Sequence, residues 1–207
     1  MILIRWKKMF SQEENVKLLI SSIKDKIESW KRFADGSIVI KPKKASFDEL
    51  CVSFRKIFLD TEYIFVSNKT VARISKTKYS RLDEEIGNVS LELKWTRKLF
   101  LKKPIFAKSD DSSNLQVVDA ILNSLNSEKE LFEKIRKCSP ENLNINLVPL
   151  TSPNNSKSIN LSWVVSLNKI LYRQVSYPRK IRTIFDVLDS LSKILGEASI
   201  QLIKLIK

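Results

Sequence analysis

Apolar positions along the chain recur with two periods, and these divide it into helices and strands. Val16, Ile20, Ile23, Ile27, Trp30 and Ala34 follow one another at steps of four, three, four, three and four. That is one stripe of an α-helix. Ser11 and Glu14 stand ahead of it as an S-x-x-E capping box, a pair that satisfies two orphan backbone donors at a helix start. Gly36 after Asp35 suits a left-handed stop. The pattern predicts a helix over about 11–34. Residues 37–41 then read as a short strand ended by Pro42. A second box, Ser46 with Glu49, leads into Phe47, Leu50, Cys51, Phe54 and Ile57 at helical spacing. It predicts a short helix to about Leu59, with Cys51 as a small buried hydrophobe on its apolar face.

The middle of the chain has strand periods. Residues 63–66 and 70–75 flank a turn-like Ser67-Asn68-Lys69. Val89, Leu91, Leu93 and Trp95 alternate with Ser90, Glu92, Lys94 and Thr96, the signature of a half-buried strand. Residues 99–101 and 105–107 add strand around Pro104. Residues 108–114, KSDDSSN, read as a polar linker.

Beyond the linker, Ser113 with Gln116 and Ser127 with Glu130 are two more capping boxes. They predict helices over about 114–125 and 128–138, the second ended by Pro140. Leu143, Ile145 and Leu147, then Ile159, Leu161, Trp163 and Val165, alternate with polar neighbours. With a loop over 150–158 they predict a hairpin, and residues 170–175 a further strand. After Pro178, Ile181, Ile184, Leu188, Leu191, Leu195, Ala198, Leu202 and Leu205 step by three and four without a break. That heptad stripe predicts a long amphipathic helix over about 180–206. Its stripe would span roughly 38 Å, weakened at Gly196 by about 1 kcal/mol relative to Ala.

The element order predicts an α+β protein with antiparallel or mixed strands, an N-terminal helix (about 11–34) and a long C-terminal helix (about 180–206). The chain divides into halves, 1–108 and 109–207, or folds as one domain.

Composition removes several chemistries. The 207 residues include no His, 2 Cys and 3 Gly. Without His, Ser-His-Asp and Cys-His catalysis within one chain are excluded. Zinc sites of four cysteines, or of paired cysteines and histidines, are excluded too. Gly36, Gly87 and Gly196 lie too far apart for a G-x-G-x-x-G or Walker A loop. No metal or other cofactor is expected. At the N-terminus Arg5, Lys7 and Lys8 follow the apolar start instead of preceding a longer apolar run, unlike a secretory signal. No apolar run approaches 18 residues. The expectation is a cytoplasmic protein without membrane association.

Charge locates a candidate site. The formal net charge is +14. Residues 37–108 hold 16 Lys+Arg against 8 Asp+Glu, a net of +8, while the segments before and after hold +3 each. Lys69, Arg73, Lys76, Lys78, Arg81, Lys94, Arg97, Lys98, Lys102 and Lys103 supply most of it. If their strands pair, these residues form one cationic face. Such a face suits a phosphate backbone, which rewards it through counterion release. Tyr79 and Trp95 stand nearby as possible stacking partners for bases, though Trp95 lies in the apolar alternation. The leading expectation is non-catalytic binding of DNA or RNA.

Two other expectations follow from other residues. The terminal helices, above all the C-terminal one, would serve a scaffold or complex subunit as an interface for self-association or a protein partner. Asp83 followed by Glu92-Leu93-Lys94 resembles the spacing of PD-(D/E)xK nucleases, without the Pro before the Asp. The resemblance implies a divalent cation between the carboxylates and a Lys assisting the attacking water. Arg179, Lys180 and Arg182, at the start of the last helix, are a weaker pointer to an anionic partner.

Overall fold

The Ser11–Glu14 box closes as its residue types require. Ser11 Oγ accepts from the Glu14 amide and the Glu14 carboxylate accepts from the Ser11 amide, opening helix α1 (Gln12–Ser22). The computed structural model describes residues 11–57, 60–86, 88–98, 101–110, 116–151, 157–171 and 177–206. The N-terminal decamer, residues 99–100, part of the expected linker (111–114), most of the 150–158 loop and the 172–175 part of the expected strand lie outside them.

Helix α1 ends well short of Ala34. After a 3-10 turn (Lys24–Lys26) the chain becomes strand β1 (Ile27–Arg32), antiparallel to β2 (Ile38–Pro42). The cause is Asp35-Gly36, which makes a hairpin turn instead of a helix stop. Gly36 sits at φ +84°, and Asp35 Oδ1 accepts both the amide and the hydroxyl of Ser37. Of the expected stripe, Ile27 is buried but Trp30 is 46% exposed.

The helix expected over 46–59 is also a strand, β3 (Glu49–Ile57). Leu50 and Val52 are buried while Cys51 and Ser53, which alternate with them, are half-buried, so the segment obeys a period of two as well as a helical one. The Ser46 box does not form; the Ser46 amide donates to Asp189 across the fold.

Strand β4 (Asp60–Ser75) runs straight through the expected turn at residues 67–69. It lies between β3 and β8 (Ser158–Leu171) and pairs with β8 along nearly its whole length, with one bulge between Thr70 and Ala72. Pairing on both sides as far as Asn68, and with β8 beyond it, satisfies backbone groups that a turn would expose, and the segment has no Gly for a two-residue turn. Helix α2 (Lys76–Ile86) follows where no element was expected. Ser75 Oγ accepts from the Lys78 amide at its start, and Leu82 is buried.

Strands β5 (Ser90–Lys98) and β6 (Leu101–Lys108), helices α3 (Gln116–Ser127) and α4 (Lys129–Cys138), and strand β7 (Asn142–Thr151) keep the expected order. The Ser127 box is absent: Ser127 Oγ donates to Ser124 O, and Glu128 caps α4 without a side-chain bond. The C-terminal helix is bent, as α5 (Tyr177–Ala198) and α6 (Ile200–Ile206). At the bend Trp163 Nε1 donates to Ser199 Oγ (2.6 Å), whose hydroxyl donates back to Leu195 O. Such an i−4 back-bond bends helices.

Among the described residues the strands form one antiparallel sheet, ordered β1-β2-β3-β4-β8-β7-β5-β6. Strands from residues 1–108 and 109–207 therefore interleave, and the α+β class holds. Helices α1, α3 and α4 pack on α5, and α2 packs on α6, so the described helices share one face of the sheet. There Tyr63, Phe65, Trp163 and Leu167 join Ile184, Leu188, Leu191 and Leu195 in the core. Each such aliphatic side chain contributes about 1.5–3 kcal/mol by leaving water. The heptad stripe is thus occupied by the sheet and its neighbouring helices. The other face carries Asn144, Asn146, Ser166, Asn168, Ile64, Val66 and Val164, half-buried or exposed. No helix among the described residues is long and apolar enough to cross a membrane.

Candidate functional site

The ten cations of the middle segment fall into two groups at opposite ends of the sheet. Strands β4 and β5 do not pair; β8 and β7 lie between them. Registers carry the separation further. Arg73 stands level with Asn160 of β8 and, through it, with Leu150 of β7. Strand β5 pairs with β7 only from Ser90–Asn146 to Glu92–Asn144, which puts Lys94 about level with Asn142. The two positions are on the order of 25 Å apart along the strands.

The first group is the corner where β4 meets α2. Arg73 is exposed, and its Nε donates to Ser158 Oγ (2.9 Å). Lys76, Lys78 and Arg81 are exposed on α2, and the Lys76 amide donates to Lys157 O. Lys157 thereby joins this group, a neighbour the sequence reading missed because only the β4–β8 pairing brings it there. Lys69 is turned away. It pairs with Trp163 on the helix-covered face, and a methyl placed on Gly196 would lie 3.6 Å from its Cε. The sequence of the same helix α2 also includes Asp83, Glu84 and Glu85.

The second group is on the β5–β6 hairpin. Strands β5 and β6 pair with each other from Leu91–Lys108 to Lys98–Leu101, well beyond the last β5–β7 pair. From Leu93 onward they form a two-stranded ribbon. Its helix side is backed at first: Pro104 is buried and its partner Trp95 half-buried against the core. Beyond that pair come Thr96–Lys103, Arg97–Lys102 and Lys98–Leu101. Lys94, Thr96, Lys103 and Ile105 share one face, continuous with the uncovered face of the sheet, and all are exposed. Lys102, also exposed, falls on the opposite face. Residues 93–108 contain six cations and no carboxylate.

The ribbon is anchored at its base. Asn126 of α3 takes both backbone groups of Phe106, accepting from its amide (2.9 Å) and donating to its carbonyl (3.0 Å). This covers the outer edge of β6, which would otherwise offer unpaired groups. Lys108 pairs with Asp119 at 2.9 Å, and the Phe106 ring meets that of Phe132. No sequence signal identified Asn126, since its partner is a backbone brought near only by folding.

The aromatic candidates do not face the cations as stacking surfaces. Trp95 packs inward, and the half-buried Tyr79 donates from its hydroxyl to Asp83 Oδ1 (3.1 Å). Burial first, and this bond second, raise the Tyr79 pKa. Among the described residues the exposed aromatics Trp30 and Phe33 lie by β1, at the other edge of the sheet.

Nor does the nuclease-like set assemble as a cation site. Asp83 lies on α2, which packs on β4, β8 and α6, whereas Glu92 and Lys94 lie on β5. Glu92 and Lys94 share a face, as alternation requires, and bind each other at 2.9 Å. The hydrogen bond from Lys94 to Glu92, and then the carboxylate charge, raise the lysine pKa. Among the described residues no cluster of three or more His, Cys, Asp or Glu is arranged to hold a metal ion.

Arg182 of the basic cluster on α5 is paired with Asp25. Burial pushes the thiols of Cys51 and Cys138 up to about 11 and about 12, so neither is a ready nucleophile near neutral pH. Clefts of about 310 and 270 Å³ open between α4 and α5 and beside α1; neither is lined by ribbon residues.

Against protein-family models, curated proteins and solved structures the chain has no significant match.

Proposed function

We propose that the protein binds nucleic acid without catalysing a reaction on it, and that the β5–β6 ribbon makes the phosphate contacts. One observation carries this reading: residues 93–106 bear five cations and no carboxylate on strands that leave the body of the sheet. Beyond Lys94, which is paired with Glu92 at the root of the ribbon, such a run of cations holds a high local potential and rewards a polyanion by counterion release. The α2 corner is the weaker candidate, because its cations share their helix with acidic residues.

The test is a salt titration of binding. Four cations on four phosphates give a slope of about −3.6 in log K against log salt, roughly a 150-fold loss between about 50 and 200 mM. Absence of binding to DNA and RNA at low salt would sink the proposal.

A further inference from the structure

Resting on the nucleic-acid reading above, we infer that the uncovered face of the sheet holds a single strand of nucleic acid, and that an array of asparagines on β7 and β8 contacts its base edges.

The array follows from register. Asn142 stands opposite Asn168, Asn144 and Asn146 follow along β7, and Asn160 lies towards the other end of β8. They alternate with buried residues such as Leu143, Ile145 and Leu161, which fill the helix-covered face. The five asparagines therefore share the uncovered face. Asn142 and Asn144 are exposed and the other three half-buried. From the Asn142–Asn168 pair to the Leu150–Asn160 pair, the remaining positions of β7 and β8 on this face are Ser, Val and Leu, and none is charged.

Asn is depleted in strands, yet β8 and β7 lie inside the sheet, with neighbours on both sides. The fold does not consume these amides. Among the described residues none of the five side chains has a hydrogen-bond partner. Each amide keeps two donors and an acceptor, the groups that pair with the edge of a base.

Charge on the same face selects the ligand. Lys94 lies at the Asn142 end of the array with Lys103 beyond it, and Arg73 stands in register with Asn160 at the other end. Glu92, in register with Asn144, is already held by Lys94 at 2.9 Å. A neutral polysaccharide would use the amides but not these cations. A polynucleotide uses both, the amides for bases and the cations for phosphates.

The breadth of the sheet selects the single strand. Eight strands at about 4.8 Å spacing make a surface roughly 34 Å across. The B-form major groove is only about 12 Å wide, so amides in the middle of this surface do not reach the bases of a regular duplex. Unpaired bases present their edges to it.

The experiment uses the full chain at low salt and four probes of one sequence, about 12 nucleotides long. They are single-stranded DNA, the same strand as RNA, the DNA duplex, and a single DNA strand with abasic sites in place of its bases. The tighter of the two intact single strands is expected to bind at least roughly tenfold more strongly than the duplex and the abasic strand. Asn142→Ala/Asn144→Ala should bring it down towards the abasic strand while the circular dichroism spectrum is kept. Lys94→Gln/Lys103→Gln should weaken all four probes by a similar factor, several-fold. Equal binding of intact and abasic strands, or tighter binding of the duplex, overturns the inference but leaves the nucleic-acid reading standing. A folded Asn142→Ala/Asn144→Ala variant that keeps the full preference does the same. A dimer of the free chain in light scattering that this variant dissolves assigns the face to a second copy, and also overturns the inference. Failure to bind any of the four probes overturns both.

Discussion

The two cationic regions differ in what surrounds their charge more than in how much charge they hold. At the α2 corner, Arg73 is tied to Ser158, Lys69 lies along α5 at Gly196, and α2 carries acidic residues with its lysines. The ribbon is fastened at its base by Asn126 and by its pairing with β7, and beyond the base its cations have no nearby carboxylate in sequence. Equal-looking runs of Lys and Arg thus become a balanced surface in one place and an unbalanced projection in the other. The field a ligand meets depends on that difference.

Charge reversal breaks the comparison most directly. Lys102→Glu/Lys103→Glu is expected to weaken nucleic-acid binding on the order of a hundredfold at low salt and to flatten the salt slope by about 2. Lys76→Glu/Lys78→Glu changes the net charge equally and is expected to cost only a few-fold, through the long-range field. Equal losses would mean that the two regions act together, or that only net charge matters. Binding isotherms at several salt concentrations separate these outcomes.

Asn126→Ala tests whether the ribbon's base is held as described. It leaves the amide and carbonyl of Phe106 without their side-chain partner. The expected cost is about 2 kcal/mol in chemical denaturation. Hydrogen exchange should quicken over residues 101–106 and stay unchanged over 63–68, where β4 is paired on both sides. Uniform quickening would place the clamp's role in the whole fold instead.

Gly196→Ala sharpens the other side. The position is helical, and an added methyl meets only the Lys69 Cε, at ordinary contact distance. Stability is expected to rise by about 0.5–1 kcal/mol, with binding unchanged. A drop in binding would show that Lys69 has to leave α5 to work. Gly36→Ala should do the reverse. Gly36 has φ +84° and Gln12 lies over it, so a side chain there is expected to cost about 1–2 kcal/mol.

Much of the fold is legible along the chain, where local periods and tertiary partners agree. The β7–β8 hairpin and the C-terminal helix follow from their stripes, and the α3–α4 pair stands where two capping boxes predict it although the Ser127 box does not form. The misreadings fall where two periods coexist. Leu50, Cys51 and Phe54 satisfy a helical spacing, yet Leu50, Val52 and Phe54 also alternate, and pairing with β2 and β4 decides for the strand. Asp35-Gly36 serves equally as a helix stop and as a hairpin turn, and the strand partner decides again. The candidate site is legible only as a list of cations. Their division into two regions depends on β8 and β7 lying between β4 and β5, a long-range choice that no local pattern encodes.

The smallest expected effect tests the ribbon's charge balance at its root. Glu92 is the nearest carboxylate to the ribbon and holds Lys94 at 2.9 Å. In Glu92→Gln, Lys94 loses the carboxylate charge that raises its pKa and keeps at most a weaker bond to a neutral amide oxygen. The value falls back towards the ordinary 10.5, still far above neutral, so the ammonium stays charged at pH 7 and is released to the ligand. Exposed ion pairs are worth at most about 1 kcal/mol, so binding should tighten by about two- to threefold. Glu84→Gln on α2 adds the same net charge at the other end of the sheet and serves as the control. Tightening in Glu92→Gln alone assigns the gain to Lys94 and hence to the ribbon. Equal tightening in both variants would reduce the ribbon to a share of the protein's overall charge.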